Sequence, residues 1–283
     1  MEGNGEKDGM IWRGSSSGSN WNSARRRYMC VGATVILGVS VLILNYVFLK
    51  GNRYNEGPDK DVPSFEGSLE SKMLNFTYGT IHALEFGSSD EDVQVFAIHG
   101  MDHETQSAGH WDPLYGMLKS IGSFSTFDAP GYGESTVKSY FKSIPRFVGA
   151  LGLYEVMKDR GIEDASSGKR VVLVARGWGA EVVMGLLREY EELRDVDFRF
   201  IFIAPTPEFK FFHHYLKEIF KSAKGLIIWA EDDPVVPMNY RKYVKKQMPQ
   251  MEQVILPGIS SHYPETAYPG TVSDAILKYM KEQ

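Results

Sequence analysis

From about residue 70 onward, short β-rich runs alternate with amphipathic stretches, and two of the runs are apolar at every position: Val171-Val172-Leu173-Val174 and Leu226-Ile227-Ile228-Trp229. A strand with no polar side has to be covered on both faces, which is the situation of a parallel sheet between two layers of helices. The same reading predicts strands over 72–78, 81–86, 93–98, 123–128, 170–175, 197–204, 225–230 and 252–256. Helices are expected over about 108–120, 144–160, 179–193, 209–222, 237–247 and 271–281. Two antiparallel-looking opening strands followed by regular alternation predict an α/β domain over 71–283: a mostly parallel, eight-stranded sheet with helices on both faces.

The chain ahead of it has a different character. Residues 1–27 are rich in Gly, Ser and Asn and end in Arg25-Arg26-Arg27, which predicts a disordered tail. Tyr28 to Leu49 then runs without a formal charge, long enough as a helix to cross a bilayer. It is apolar on every side and lacks a small-residue cleavage site, so a signal-anchor span is favoured over a buried helix or a signal peptide. The basic cluster before it favours a cytoplasmic N-terminus, a single-pass type II arrangement with the domain luminal or extracellular. Residues 50–70, with Pro58 and Pro63, read as a linker. In that orientation Asn75-Phe76-Thr77 is a usable glycosylation sequon, and Cys30 at the edge of the span is either an acylation site or a small membrane-facing hydrophobe.

Charge and cysteine content exclude several functions. Residues 1–54 carry seven Lys/Arg against three Asp/Glu, leaving 24 against 33 for the rest, so the domain is acidic and no nucleic-acid partner is expected. One cysteine rules out a disulfide scaffold and a multi-cysteine zinc site. Asp102, His103 and His110 are ligand-type residues, but six residues between the histidines suits a loop or pocket rim better; no metal and no cofactor are expected.

In such sheets the working residues sit on loops at the carboxyl ends of the strands. Here those loops read His99-Gly100-Met101, Asp128-Ala129-Pro130-Gly131-Tyr132-Gly133-Glu134-Ser135, Ala175-Arg176-Gly177-Trp178-Gly179-Ala180, Asp232-Asp233-Pro234-Val235-Val236-Pro237 and Ser260-Ser261-His262. Taken in order, they resemble the α/β-hydrolase family, in particular its small, lidless, membrane-anchored branch. Only about twenty residues separate the sixth and seventh strands, where many members carry a lid.

That resemblance implies a nucleophile on a tight strand-to-helix turn, an acid and a histidine base, with two backbone N–H groups for an oxyanion. Carried over residue by residue, the base is His262, the acid is Asp233 rather than Asp232, and the oxyanion donors are Met101 and Trp178. The nucleophile position falls on Gly177, which has no group able to attack. The implied protein therefore lacks serine-hydrolase chemistry and keeps a cleft for a small-molecule ligand or a protein partner. The alternative is an enzyme using the Asp233–His262 pair as general base, or a relocated nucleophile among Ser107, Ser135, Ser260 and Ser261. Arg176, Trp178, Tyr132 and Trp111 are candidate cleft-lining residues, Trp111 equally a core one. His213-His214 lies in an aromatic-rich helix read as packing surface.

Overall fold

The computed structural model describes residues 61–102, 106–138, 145–206, 220 and 223–283. The expected tail and membrane segment, Cys30, His103, His213, His214 and nearly all of the helix expected over 209–222 lie outside them. Among the described residues, no helix is long and apolar enough to cross a membrane.

Among the described residues, nine strands build one sheet: β1 (Glu70–Phe76), β2 (Gly79–Phe86), β3 (Val93–Ile98), β4 (Ser123–Phe127), β5 (Thr136–Val137), β6 (Arg170–Arg176), β7 (Asp197–Ile203), β8 (Gly225–Ala230) and β9 (Glu252–Leu256). Their order is β1-β2-β4-β3-β6-β7-β8-β9, with the two-residue β5 paired to β2. From β4 onward the pairs along this path are parallel, and β1–β2 and β2–β4 are antiparallel. One strand more is present than the sequence suggests, because two residues are too few to carry a period.

The helices are α1 (Tyr115–Ile121), α2 (Pro145–Asp159), α3 (Gly179–Glu189), α4 (Met238–Gln247), α5 (Pro264–Ala267) and α6 (Pro269–Lys281). The helix expected over 108–120 is divided. Its first half is a 3-10 segment, Ala108–Leu114, containing Pro113, whose ring cannot occupy an α-helix interior without loss of a hydrogen bond. The opening hairpin turns at Thr77-Tyr78 instead of at Gly79, which is the first residue of β2; a Cβ there would stand 2.2 Å from the Thr136 carbonyl of β5.

The uninterrupted apolar runs behave as their composition requires. Along β6, Val171, Leu173 and Ala175 face one core, shared with Leu153 and Val156 of α2, Val182 and Leu186 of α3 and Val244 of α4. Val172 and Val174 face the other core, with Met117 and Leu118 of α1 and Val272 and Ile276 of α6. Each such side chain withdrawn from water contributes about 1.5–3 kcal/mol. Phe65, within the stretch expected as linker, packs edge-on to Phe86 at 5.5 Å between ring centres and also touches Tyr115 and Phe124.

Candidate active site

The loops at the carboxyl ends of β3, β4, β6, β8 and β9 meet at one edge of the sheet, and the turn from β6 into α3 lies at their centre. Gly177 occupies that turn with φ +53°, in the left-handed region that costs an L side chain strain and glycine none. Its N–H donates to the Ile203 carbonyl at 2.9 Å, tying the turn to β7. A Cβ at 177 would meet only Thr206 Cγ2 at 3.5 Å and the Ala204 carbonyl at 3.9 Å, ordinary contacts, so room for a side chain remains. At Gly179 there is none: a Cβ would lie 2.6 Å from the Ile98 carbonyl and 2.8 Å from that of His99. That close approach seats α3 against β3 and fixes the turn.

His262, 5% exposed, follows β9 and points Nδ1 at the Asp233 carboxylate, 2.9 and 3.1 Å from its two oxygens. Asp233 Oδ1 also accepts the N–H groups of Val235 at 2.7 Å and Val236 at 2.9 Å, which orients the carboxylate. With Nδ1–H donating to Asp233, Nε2 carries the lone pair, and among the described residues it has no protein hydrogen-bond partner. Asp232 is exposed and takes no part in this pair. Its backbone joins the two loops instead, its N–H reaching the Ile259 carbonyl at 3.0 Å and its carbonyl accepting Ser260 Oγ at 3.3 Å.

Among the described residues, the backbone N–H groups of Met101 and Trp178 also reach no protein acceptor. The Trp178 N–H stands at the start of the eleven-residue α3, where the helix dipole adds positive potential. The Trp178 indole, expected at the cleft wall, is 2% exposed and packs at 5.7 Å from Tyr132 and 6.3 Å from His99. Trp111 is fully buried in the core.

Arg176 is a larger correction. It is fully buried beneath the turn and does not line a cleft. Its Nε donates to Glu265 at 3.1 Å, Nη1 to Asp102 at 2.8 Å and Nη2 to the His262 carbonyl at 2.8 Å, and the guanidinium lies 4.5 Å from the Tyr263 ring centre. His110 Nε2 completes the network 3.0 Å from the same Glu265 oxygen. One cation thus braces the loop after β3 and the loop bearing His262, and Asp102 and His110 belong to this brace.

Of the serines considered as relocated nucleophiles, Ser135, Ser260 and Ser261 have hydroxyls engaged with other partners. Ser135 Oγ donates to the Asp128 carbonyl at 2.6 Å and accepts the His82 N–H at 2.8 Å. Ser261 Oγ accepts the Tyr263 N–H at 3.0 Å, whereas Ser107, ahead of the 3-10 segment, accepts the His110 N–H through its carbonyl at 3.1 Å and its side chain caps no backbone N–H. The glycine-rich loop is organised around Asp128, whose carboxylate accepts Ala108 N–H at 2.6 Å and Glu134 N–H at 2.8 Å and bonds His82 Nδ1 at 2.9 Å. Asn75 is exposed on β1.

His99 is structural. Nε2 accepts the Ala129 N–H at 2.9 Å and Nδ1 donates to the Gly100 carbonyl at 2.5 Å, which requires the neutral ring. Full burial lowers its pKa from 6.5 to about 4. The unfolded chain takes up this proton first, so stability is lost as pH falls from about 6.5 towards about 4, by up to about 3 kcal/mol. Urea midpoints measured across that range should fall less steeply in a His99→Gln variant than in the wild type. Parallel curves would contradict this assignment.

No family model and no curated protein matches the sequence. Solved structures do. A predicted CIB-like hydrolase from Thermoplasma acidophilum aligns with TM-score 0.62 at 19% identity, covering 76% of this chain and 99% of that one. A 2-hydroxy-6-oxo-6-phenylhexa-2,4-dienoate hydrolase from Rhodococcus sp. strain RHA1 gives 0.58 at 14%, covering 76% and 99%. An esterase of Pyrococcus furiosus gives 0.57 at 15%, covering 79% and 98%. Together with the sheet order and the glycine turn, these likenesses identify the domain as an α/β-hydrolase fold.

Proposed function

We propose that this protein is a membrane-anchored, non-hydrolytic α/β-hydrolase-fold protein whose cleft binds a small-molecule ligand or a protein partner. The observation that carries this reading is Gly177, in the left-handed turn where the fold family places its nucleophile. Loss of the nucleophile from a related triad lowers turnover on the order of 10⁶-fold, about 8 kcal/mol of barrier, which a rearranged neighbour does not replace. Residues 28–49 are the proposed type II anchor, supported by their length, lack of charge and preceding arginines, with Asn75 as a glycosylation site on the far side.

The intact Asp233–His262 pair favours one second reading, a general base that takes a proton from an attacking water or from an acidic ligand, worth about 10²–10⁴-fold without a protein nucleophile. Short acyl esters incubated with the full-length protein separate the two. The non-hydrolytic reading expects no turnover above the buffer rate. Turnover that disappears in His262→Ala would replace it with the general-base reading.

A further inference from the structure

The loop after β8 and the outer face of α4 form one exposed ribbon, residues 231–246, whose charge changes sign along its length. Glu231 and Asp232 are exposed at its start and Pro234, Val235, Pro237 and Met238 in its middle. Lys242, Lys245 and Lys246 are exposed at its end. Helical spacing puts residues 238, 242, 245 and 246 on one stripe of α4, while Tyr240, Arg241 and Val244 turn inward.

Two features set this ribbon apart from an ordinary solvated face. Of the five exposed large apolar side chains among the described residues, Val235 and Met238, at 50% and 48%, stand three positions apart. The charges on either side of them are also uncommitted: Glu231, Asp232, Lys242 and Lys246 enter no salt bridge among the described residues. Lys245 is held back, with Nζ drawn to the Pro249 and Met251 carbonyls at 3.5 and 3.1 Å. The acidic end is fixed in place by the loop after β9. Glu231 accepts the Gly258 N–H at 2.8 Å, and the Asp232 backbone is tied to Ile259 at 3.0 Å and Ser260 at 3.3 Å.

An acidic, apolar, basic order is complementary to itself. Rotated by half a turn about an axis through Met238, the ribbon sets Glu231 and Asp232 of one copy opposite Lys242 and Lys246 of the other. Symmetry repeats that match on the far side and brings Met238 against Met238. A foreign partner would have to carry the same order of charges in reverse, whereas a second copy supplies it by rotation alone. We propose that the loop after β8 and α4 form a two-fold interface between copies of this chain. The ribbon is narrower than the about 20–30 residues a side of a standard interface, which places the contact in the weak, micromolar class. A shared bilayer, the arrangement proposed for residues 28–49, raises the effective concentration of the two copies.

The test is sedimentation of the full-length protein in a non-ionic detergent at about 10–100 µM, where a micromolar contact is populated. The wild type should form a dimer that dissociates as salt rises from about 50 to 500 mM. Asp232→Lys, and separately Lys242→Glu with Lys246→Glu, set like charges opposite one another and should each associate at least about tenfold more weakly. An equimolar mixture of the two variants should recover wild-type association, because each reversed charge then meets its opposite. In a Cys30→Ser background, Met238→Cys should cross-link between copies at least about tenfold faster than Met73→Cys, a site 51% exposed but placed on β1. If a charge variant does not fold, that ratio of cross-linking rates decides alone. A monomeric wild type overturns the proposal, as do folded variants that associate like the wild type, a mixture that fails to recover, or equal cross-linking at 238 and 73. Each of these outcomes leaves the reading of the cleft in place, since that reading is decided by ester turnover.

Discussion

A Gly177→Ser variant is expected to hydrolyse short acyl esters at least about 10³-fold faster than the wild-type protein. The expectation follows from what the turn keeps. The backbone at 177 already has the left-handed conformation, φ +53°, that projects a side chain outward from such a turn. A serine Cβ would meet Thr206 Cγ2 at 3.5 Å, an ordinary contact, so the side chain enters without displacing a neighbour. His262 is held by Asp233 with Nε2 uncommitted, and the Met101 and Trp178 N–H groups, proposed as oxyanion donors, reach no protein acceptor among the described residues. The introduced Cβ costs about 1–2 kcal/mol of stability, because an L residue is strained where glycine is not. The gain should vanish again in a Gly177→Ser, His262→Ala double variant. A folded serine variant with no activity would mean that base, donors and turn are not in register.

The second large effect concerns stability. Replacing Arg176 with Met should destabilise the fold by about 3–5 kcal/mol, because it leaves Glu265, 1% exposed, as a buried carboxylate without its cation. His110 cannot take over the full role, since it is charged only when protonated and does not reach Asp102 or the His262 carbonyl. Removing both charges should recover much of the loss: Arg176→Met with Glu265→Leu substitutes apolar volume for a buried ion pair, an exchange that is often neutral. Urea unfolding of the two single variants and the double closes the cycle. If the single Arg176 variant loses less than about 1 kcal/mol, the brace between the loop after β3 and the histidine loop is not structural.

Much of this architecture is legible in the residues themselves. The two apolar runs become the doubly covered strands β6 and β8, since the requirement for two covered faces is local to each strand. The Asp233–His262 pairing and the turn at Gly177 are also readable, through the resemblance of their loops to the α/β-hydrolase family. The Arg176 brace is not. Its partners lie 74 to 89 positions away, and nothing in Glu265 or Asp102 alone announces a buried cation. A hint does exist: an arginine closing an otherwise apolar central strand needs a carboxylate nearby. The Trp178 ring is illegible for a related reason: the residue sits in the turn before α3, but its side chain packs into the core against Tyr132 and His99. The short β5 and the division of the helix near Pro113 depend on tertiary pairing and on one ring, below the resolution of periodicity.

The most direct measurement is covalent labelling of the full-length wild-type protein with a fluorophosphonate serine-hydrolase probe, read by intact mass and site-mapped by peptide mass spectrometry, with Gly177→Ser alongside. The glycine turn predicts no adduct on the wild type and one adduct on residue 177 of the serine variant. A stoichiometric adduct on a wild-type side chain, lost on His262→Ala, would show a working nucleophile elsewhere and contradict the account.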